Sequence, residues 1–363
     1  SALSTLGTIV RLGWPTTLTL CTQFAAPLCM LGTLGTLGPE YLGGGGMGFM
    51  YQNLTGYGVF VGLSLGAQPL LSQAYGAGNL ARMSIILQRT LLLSAVFLVI
   101  LVLPMWIFCE PLLLAAGQPP LIARLTGEFV LWRLPALPFM LMQQDMAVFL
   151  TAQRVVRGPM VVNVITNIVL LPLLPLLILP APHGVGLGFI GAPIAITLRD
   201  VTCCTISFCL APCWLRRNRS DGAWPRWRRW RPALTGWGEV LRLGLPGCIM
   251  TWSEWFGWEA NLFLAGTLCA SDAAADGGEG GCAPVEAFPI LSNLMVISFF
   301  VHFGFSQAQS TLIGNAMGEG RWRDARRIAA PGGTFVVSLA TLAAAALVAG
   351  RHHAGALFVG DGA

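Results

Sequence analysis

The chain has 363 residues, of which 55% are apolar and 10% charged, a mean hydropathy of +0.69 and a net charge of +5. Soluble domains carry roughly 25% charged residues, so lipid must solvate much of this surface. All 21 basic residues are Arg, and the absence of Lys excludes a Walker A phosphate loop and a Schiff-base enzyme, both of which need an amine; any transport must be driven by an ion gradient or a partner, with no cofactor.

Apolar blocks about 20 residues long recur along the chain, enough for a helix to cross ~30 Å of hydrocarbon with its backbone satisfied internally. They predict nine transmembrane helices, over residues 8–32, 46–72, 90–109, 125–150, 159–180, 188–213, 240–266, 286–312 and 329–349. The run Gly43 to Gly46 has no preceding strand and no following phosphate motif, so it reads as a flexible turn at the mouth of span two. Within that span Gly58, Gly62 and Gly66 repeat at helical spacing, a smooth stripe for close helix packing. Asn53 lies in N-L-T, nominally a glycosylation sequon, but its place inside the span favours a cavity contact. Arg133 and Asp145 in span four, and Arg199 beside Asp200 in span six, are charges deep in the hydrocarbon and are expected to pair between helices. Asn163 and Asn167 share a face of span five, a position suited to interhelical hydrogen bonding. His302 reads as a core histidine, and His352 and His353 lack helical ligand spacing, so no metal is expected. Most of the ten cysteines sit in apolar blocks as small hydrophobes, while Cys269 and Cys282 bracket one acidic connection as a candidate disulfide.

The connections alternate in charge. Odd ones carry Glu40, Glu110, Asp272, Asp276 and Glu279 with Arg124 alone as a strong base; even ones carry Arg82 and Arg89, Arg154 and Arg157, a run from Arg216 to Arg231, then Arg321, Arg323, Arg326 and Arg327. Arg-rich short loops stay cytoplasmic, which predicts an inside N-terminus and, after nine spans, an outside C-terminus. The 216–231 run interleaves Arg with Trp224, Trp227 and Trp230; beside a span it reads as a positive-inside determinant on anionic headgroups, not as a nucleic-acid site.

An internal repeat organises these spans. R-L-G-W-P (Arg11–Pro15) enters span one and R-L-G-L-P (Arg242–Pro246) enters span seven; A-Y-G-A-G-N-L-A-R from Ala74 leaves span two and A-M-G-E-G-R-W-R-D-A-R from Ala316 leaves span eight. Two matches in register imply two parallel six-helix lobes related by an axis along the membrane normal. The fold class is thus an all-α membrane protein, with a first lobe at 1–215, a basic cytoplasmic linker at 216–235 and a partial second lobe at 236–363. Counterparts of spans four to six are expected beyond Ala363, as in a truncated chain.

Four stretches carry a family likeness: S-Q-A-Y-G-A-G-N from Ser72 with L-Q-R at Leu87–Arg89, P-A-L-P at Pro135–Pro138, S-E-W-F-G-W-E at Ser253–Glu259, and G-F-S-Q-A-Q-S-T-L-I-G-N-A-M-G-E-G at Gly304–Gly320. Together they resemble the multidrug and toxic compound extrusion (MATE) transporters, in their eukaryotic form. The resemblance implies twelve helices in two bundles around a central cavity, and antiport of organic cations or similar amphiphiles against protons or, less often, sodium. It departs at Gln68, where an aspartate is usual, at Pro69, where Thr is usual, and at Asn293, acidic in some members.

Carboxylates inside hydrocarbon need a reason. Glu254 and Glu259 lie about 140° apart around span seven, so both can line one wide cavity. A buried carboxyl there can trade a proton for a cation, while Trp252, Trp255, Phe256 and Trp258 offer ring faces worth ~2 kcal/mol to a desolvated cation. The expected site is Glu254 and Glu259 for coupling and substrate, with Asn53, Gln73, Trp255, Trp258 and Asn293 lining the cavity. Expected partners are the bilayer and a small organic cation or amphiphile, for a monomer in the plasma membrane or an organellar membrane. A structural Glu locking helix packing, a lipid or oligosaccharide flippase of the related superfamily, and a nonfunctional truncated product are the rival readings.

Overall fold

The computed structural model describes residues 2–225, 227, 228, 230–276 and 283–349, with side chains over 4–257 and 295–349 apart from 226, 229 and 297. All regular structure among these residues is helical. Each of the nine expected spans falls on one helix or on a helix broken by a turn.

Span one is α1 (Ala2–Gly35). In span two, α2 (Pro39–Gln52) runs through a π-helical turn, Asn53–Tyr57, into α3 (Gly58–Gly76). Span three is α4 (Leu80–Phe97), a second π turn at Leu98–Val102 and α5 (Leu103–Ile107), followed by the short α6 (Cys109–Ala115). Span four is α7 (Pro120–Arg133) and α8 (Leu137–Ala152), joined by a tight turn at Leu134–Ala136 where Pro135 has no N–H to continue the ladder. Span five is α9 (Arg157–Leu170) with α10 (Leu173–Ile178), and span six is α11 (Gly191–Arg217). The last three are α12 (Trp237–Asp276), α13 (Ala283–Gly318) and α14 (Trp322–Ala349).

Gly43 to Gly46 do not form a turn: they lie inside α2, which starts at Pro39. The glycines let α2 press against two neighbours, since a Cβ on Gly44 would collide with Leu125 of α7 and one on Gly45 with Leu34 of α1. The core of the first lobe fills around Phe60, Trp106, Phe129 and Phe149, all fully buried. Asn163 accepts from Thr22 of α1 at 3.0 Å, the interhelical role expected of it, and from Asn167 of its own helix at 2.9 Å.

The two lobes meet through a pseudo-symmetric seam. α1 packs on α13 as α12 packs on α3. A Cβ on Gly62 would collide with the Cys248 backbone and one on Gly66 with Gly244; on the other side, a Cβ on Gly304 would collide with Thr17 and one on Gly13 with Phe305. When Gly76 is set on Gly318 by the repeat, Gly62 falls on Gly304 and Gln73 on Asn315. The contacts obey the same exchange, Gly76 abutting the Asn315 backbone and Gly318 that of Gln73. Ser72 and Gly314, also equivalent, touch each other, which places the pseudo-twofold axis between them.

All of this lies toward the Arg-rich end of the bundle. There Glu239 of α12 pairs with Arg82 and, at 3.2 Å, with Arg89, both on α4. Asn218, just past α11, donates to the Gln153 carbonyl at 2.9 Å. The linker's Trp224 and Trp227 pack on Phe208 of α11 and on each other, with Trp230 beyond, so these rings cover a helix rather than offering stacking faces.

Candidate functional site

Farther along the seam, α12 crosses the π turn of span two. A π turn inserts one residue into the helical register and leaves the local ladder irregular, a geometry frequent at functional sites. Trp106 holds the turn from behind by donating to Thr55 Oγ1 at 3.0 Å, and Tyr51 donates to the Met105 carbonyl at 2.7 Å. From the front, Trp252 of α12 donates to the Leu54 carbonyl at 2.8 Å. Three residues on, the Trp255 ring stacks on Tyr57 with centroids 6.0 Å apart, close against Gly58. Tyr57 in turn donates to Gln144 Oε1 of α8 at 3.1 Å.

Glu254 precedes Trp255 along α12, is half-buried, and takes part in none of the ion pairs among the described residues. Asn53 opens the same π turn and is also half-buried. Trp255 and the π turn that Asn53 opens therefore come together from two lobes, with Glu254 next to Trp255 along α12. Gln73 does not join them: it is exposed near the Arg-rich end of α3, where its backbone meets Gly318. The side chains of Glu259 and Trp258, farther along α12, and of Asn293 on α13 lie outside the described residues, as does the Cys269 and Cys282 pair.

Behind the π turn lies a charged cluster of the first lobe. Arg133, 1% exposed, donates to Asp200 Oδ2 at 2.7 Å and to Gln52 Oε1 at 2.9 Å, while Arg199 donates to Asp200 Oδ1 at 2.8 Å. The expected pairing between helices is thus Arg133 with Asp200. Asp145, the fourth charge of the set, pairs with no Arg among the described residues and instead meets Ser64. A separate groove of about 500 Å³ opens at the opposite end of the first lobe, lined by Tyr41, Arg124 and Glu128, away from both Glu254 and the seam.

The comparisons with known proteins agree with one another. A family model described as MatE matches residues 15–176. The human multidrug and toxin extrusion protein 1 is 30% identical over 312 residues, 85% of this chain. The chain belongs to the MatE family. The likeness extends to protein DETOXIFICATION 48 of Arabidopsis thaliana, 27% identical over 357 residues, 97% of this chain and 63% of that protein. Among solved structures, a eukaryotic MATE transporter, AtDTX14, superposes with a TM-score of 0.82 at 20% identity, covering 99% of this chain and 76% of that one. The chain spans about half the length of the human relative it matches, 50%. This MatE protein is therefore an all-α multi-pass membrane protein, and its candidate site sits where α12 meets span two.

Tyr57 and Gln144 are the residues of this MatE seam that sequence reasoning missed. The π turn shifts every later side chain by about 100° around the axis, so faces assigned by regular spacing fail across it. The signal available was a tyrosine inside a span, four residues after Asn53.

Proposed function

We propose that this chain serves proton-coupled antiport that exports organic cations or similar amphiphiles. The observation that carries the reading is the half-buried Glu254 beside Trp255, whose ring stacks on Tyr57 of the other lobe. A helix that carries an acid beside a ring stacked at a lobe boundary suits a hydrophobic cation, which rings attract through their quadrupoles and a carboxylate through its charge. A proton neutralises the same carboxyl and removes its hold on the cation, so proton and substrate compete for one group. The names of the relatives, multidrug and toxin extrusion proteins, support export of foreign organic compounds.

The test is uptake of a permanently charged organic cation by proteoliposomes holding the full-length protein, with and without an imposed pH gradient. The gradient should accelerate uptake in the wild type. Glu254→Gln, which keeps volume but cannot exchange a proton, should lose both the acceleration and most cation binding. Wild-type coupled transport in Glu254→Gln would remove Glu254 from the mechanism, and a gradient of sodium driving uptake where protons do not would replace the coupling ion.

A further inference from the structure

Asp145 is the buried acid that the seam does not use. It lies on α8, 2% exposed, among Ser64, Ala67 and Leu71 of α3 and Leu87 and Thr90 of α4. Its Oδ2 has no hydrogen-bond partner among the described residues. Ser94 of α4, fully buried, turns its hydroxyl toward the same carboxyl without closing a hydrogen bond.

The hydrogen bonds around Ser64 bear on the carboxyl's charge. The Ser64 hydroxyl lies 2.7 Å from the Phe60 carbonyl oxygen and 2.5 Å from Asp145 Oδ1. A hydroxyl owns one proton, and a carbonyl oxygen can only accept. Ser64 can therefore donate to only one of the two, and whenever it donates to Phe60 the proton it shares with Asp145 comes from the carboxyl. Of the charged groups of the surrounding elements, Arg82 and Arg89 of α4 pair with Glu239, Asp200 of α11 pairs with Arg199 and Arg133, and Arg216 and Arg217 are exposed at the far end of α11. Of the other titratable groups, Tyr57 of the π turn bonds Gln144, Tyr75 of α3 meets Asn218, Cys203 of α11 meets Asn163, its neighbour Cys204 is buried in α11, and His302 of α13 stands edge-on to Phe299. An ionised carboxylate left without a cation in hydrocarbon costs several kcal/mol, and a bound proton removes that cost.

We propose that Asp145 is a proton-binding site of the first lobe, neutral in the conformation seen here and releasing its proton when α3 shifts and admits water. α3 connects this site to the seam, because Ser64 grips Asp145 on one face while Gly62 and Gly66 press on α12 from another. The proposal rests on the proton-coupled reading above, which gives the released proton its use.

Infrared spectroscopy of the full-length protein in lipid tests it, since a protonated carboxyl has a carbonyl band that a carboxylate lacks. The wild-type spectrum minus that of Asp145→Asn should contain such a band in acid buffer and lose it in alkaline buffer. Ser64→Ala should shift the band without removing it, which reports on Asp145 even where Asp145→Asn folds poorly. In proteoliposomes Asp145→Asn should lose gradient-driven acceleration and keep exchange of labelled for unlabelled cation. A band that persists at every pH would make Asp145 a permanent structural acid, and no band assignable to Asp145 would make it ionised; either result overturns the proposal. Wild-type transport indifferent to a pH gradient would instead overturn the coupling reading, whatever the band does.

Discussion

Thr17 and Cys248 hold the same place in the two halves of the seam: the Thr17 hydroxyl donates to the Val301 carbonyl at 3.3 Å and the Cys248 thiol to the Val59 carbonyl at 3.5 Å. Each stands four residues after the glycine of an R-L-G motif, and Val59 and Val301 are equivalent by the repeat. Polar contacts between membrane helices average ~0.6 kcal/mol, so the close glycine packing beneath each one dominates the seam.

Substitution of Gly62 or Gly304 by Ala should therefore act alike. Each new methyl meets backbone across the seam, and overpacking of this kind costs about 1–3 kcal/mol. Gly32→Ala, where nothing lies within 4 Å, is the control and should be neutral. Thermal unfolding in detergent, read together with the accessibility of a cysteine placed at Gly244, should show both seam variants destabilised and opened at the Arg-rich end.

Removal of Asp200 leaves Arg133 and Arg199 facing one another without their shared acceptor. Loss of one partner from a buried ion pair costs roughly 3–5 kcal/mol. Asp200→Asn should accordingly lower the yield of folded protein sharply, and Arg133→Gln combined with Asp200→Asn should recover part of it. A double variant no better than the single one would show that the two charges do not compensate each other.

The pairs of Glu239 with Arg82 and Arg89 sit nearer to water, Arg82 being 52% exposed in its side chain. Exposed pairs contribute ~0–1 kcal/mol and are screened by salt. Glu239→Gln should leave the unfolding temperature almost unchanged. It should instead raise cysteine labelling at Gly244, an increase that high salt reproduces in the wild type.

The sidedness follows from where Arg is retained. In sealed cells Asp221→Cys, exposed in the basic linker, should react only after permeabilisation, and His183→Cys, exposed on the opposite end, should react from outside. Equal outside labelling of both would reverse the topology.

Hydropathy was enough to locate the helices, because each span must be long and apolar enough to cross lipid on its own. The Gly58, Gly62 and Gly66 stripe was equally legible, since small residues at one spacing leave a groove whatever fills it. Gly43 to Gly46 misled for the opposite reason: glycine signals both a turn and a close approach, and only the neighbours Leu34 and Leu125 decide between them. Pairing of Arg133 with Asp200 rather than Asp145 depended on which helices lie side by side, which spacing along one chain does not encode. Glu254 was visible as an acid among tryptophans, but its companion Tyr57 lay beyond a π turn that no regular periodicity anticipates.

The contact of Ser72 with Gly314 sits on the axis that relates the lobes, and this has a mechanical consequence. A rotation of one lobe against the other about that point leaves the contact nearly still, like the pin of a pair of scissors. When the rotation is about the axis itself, the two blades, Gly62 on Cys248 and Gly304 on Thr17, part by equal amounts and at the same moment. Opening on one side alone would have to break the twofold, so passage through this seam should be all-or-none.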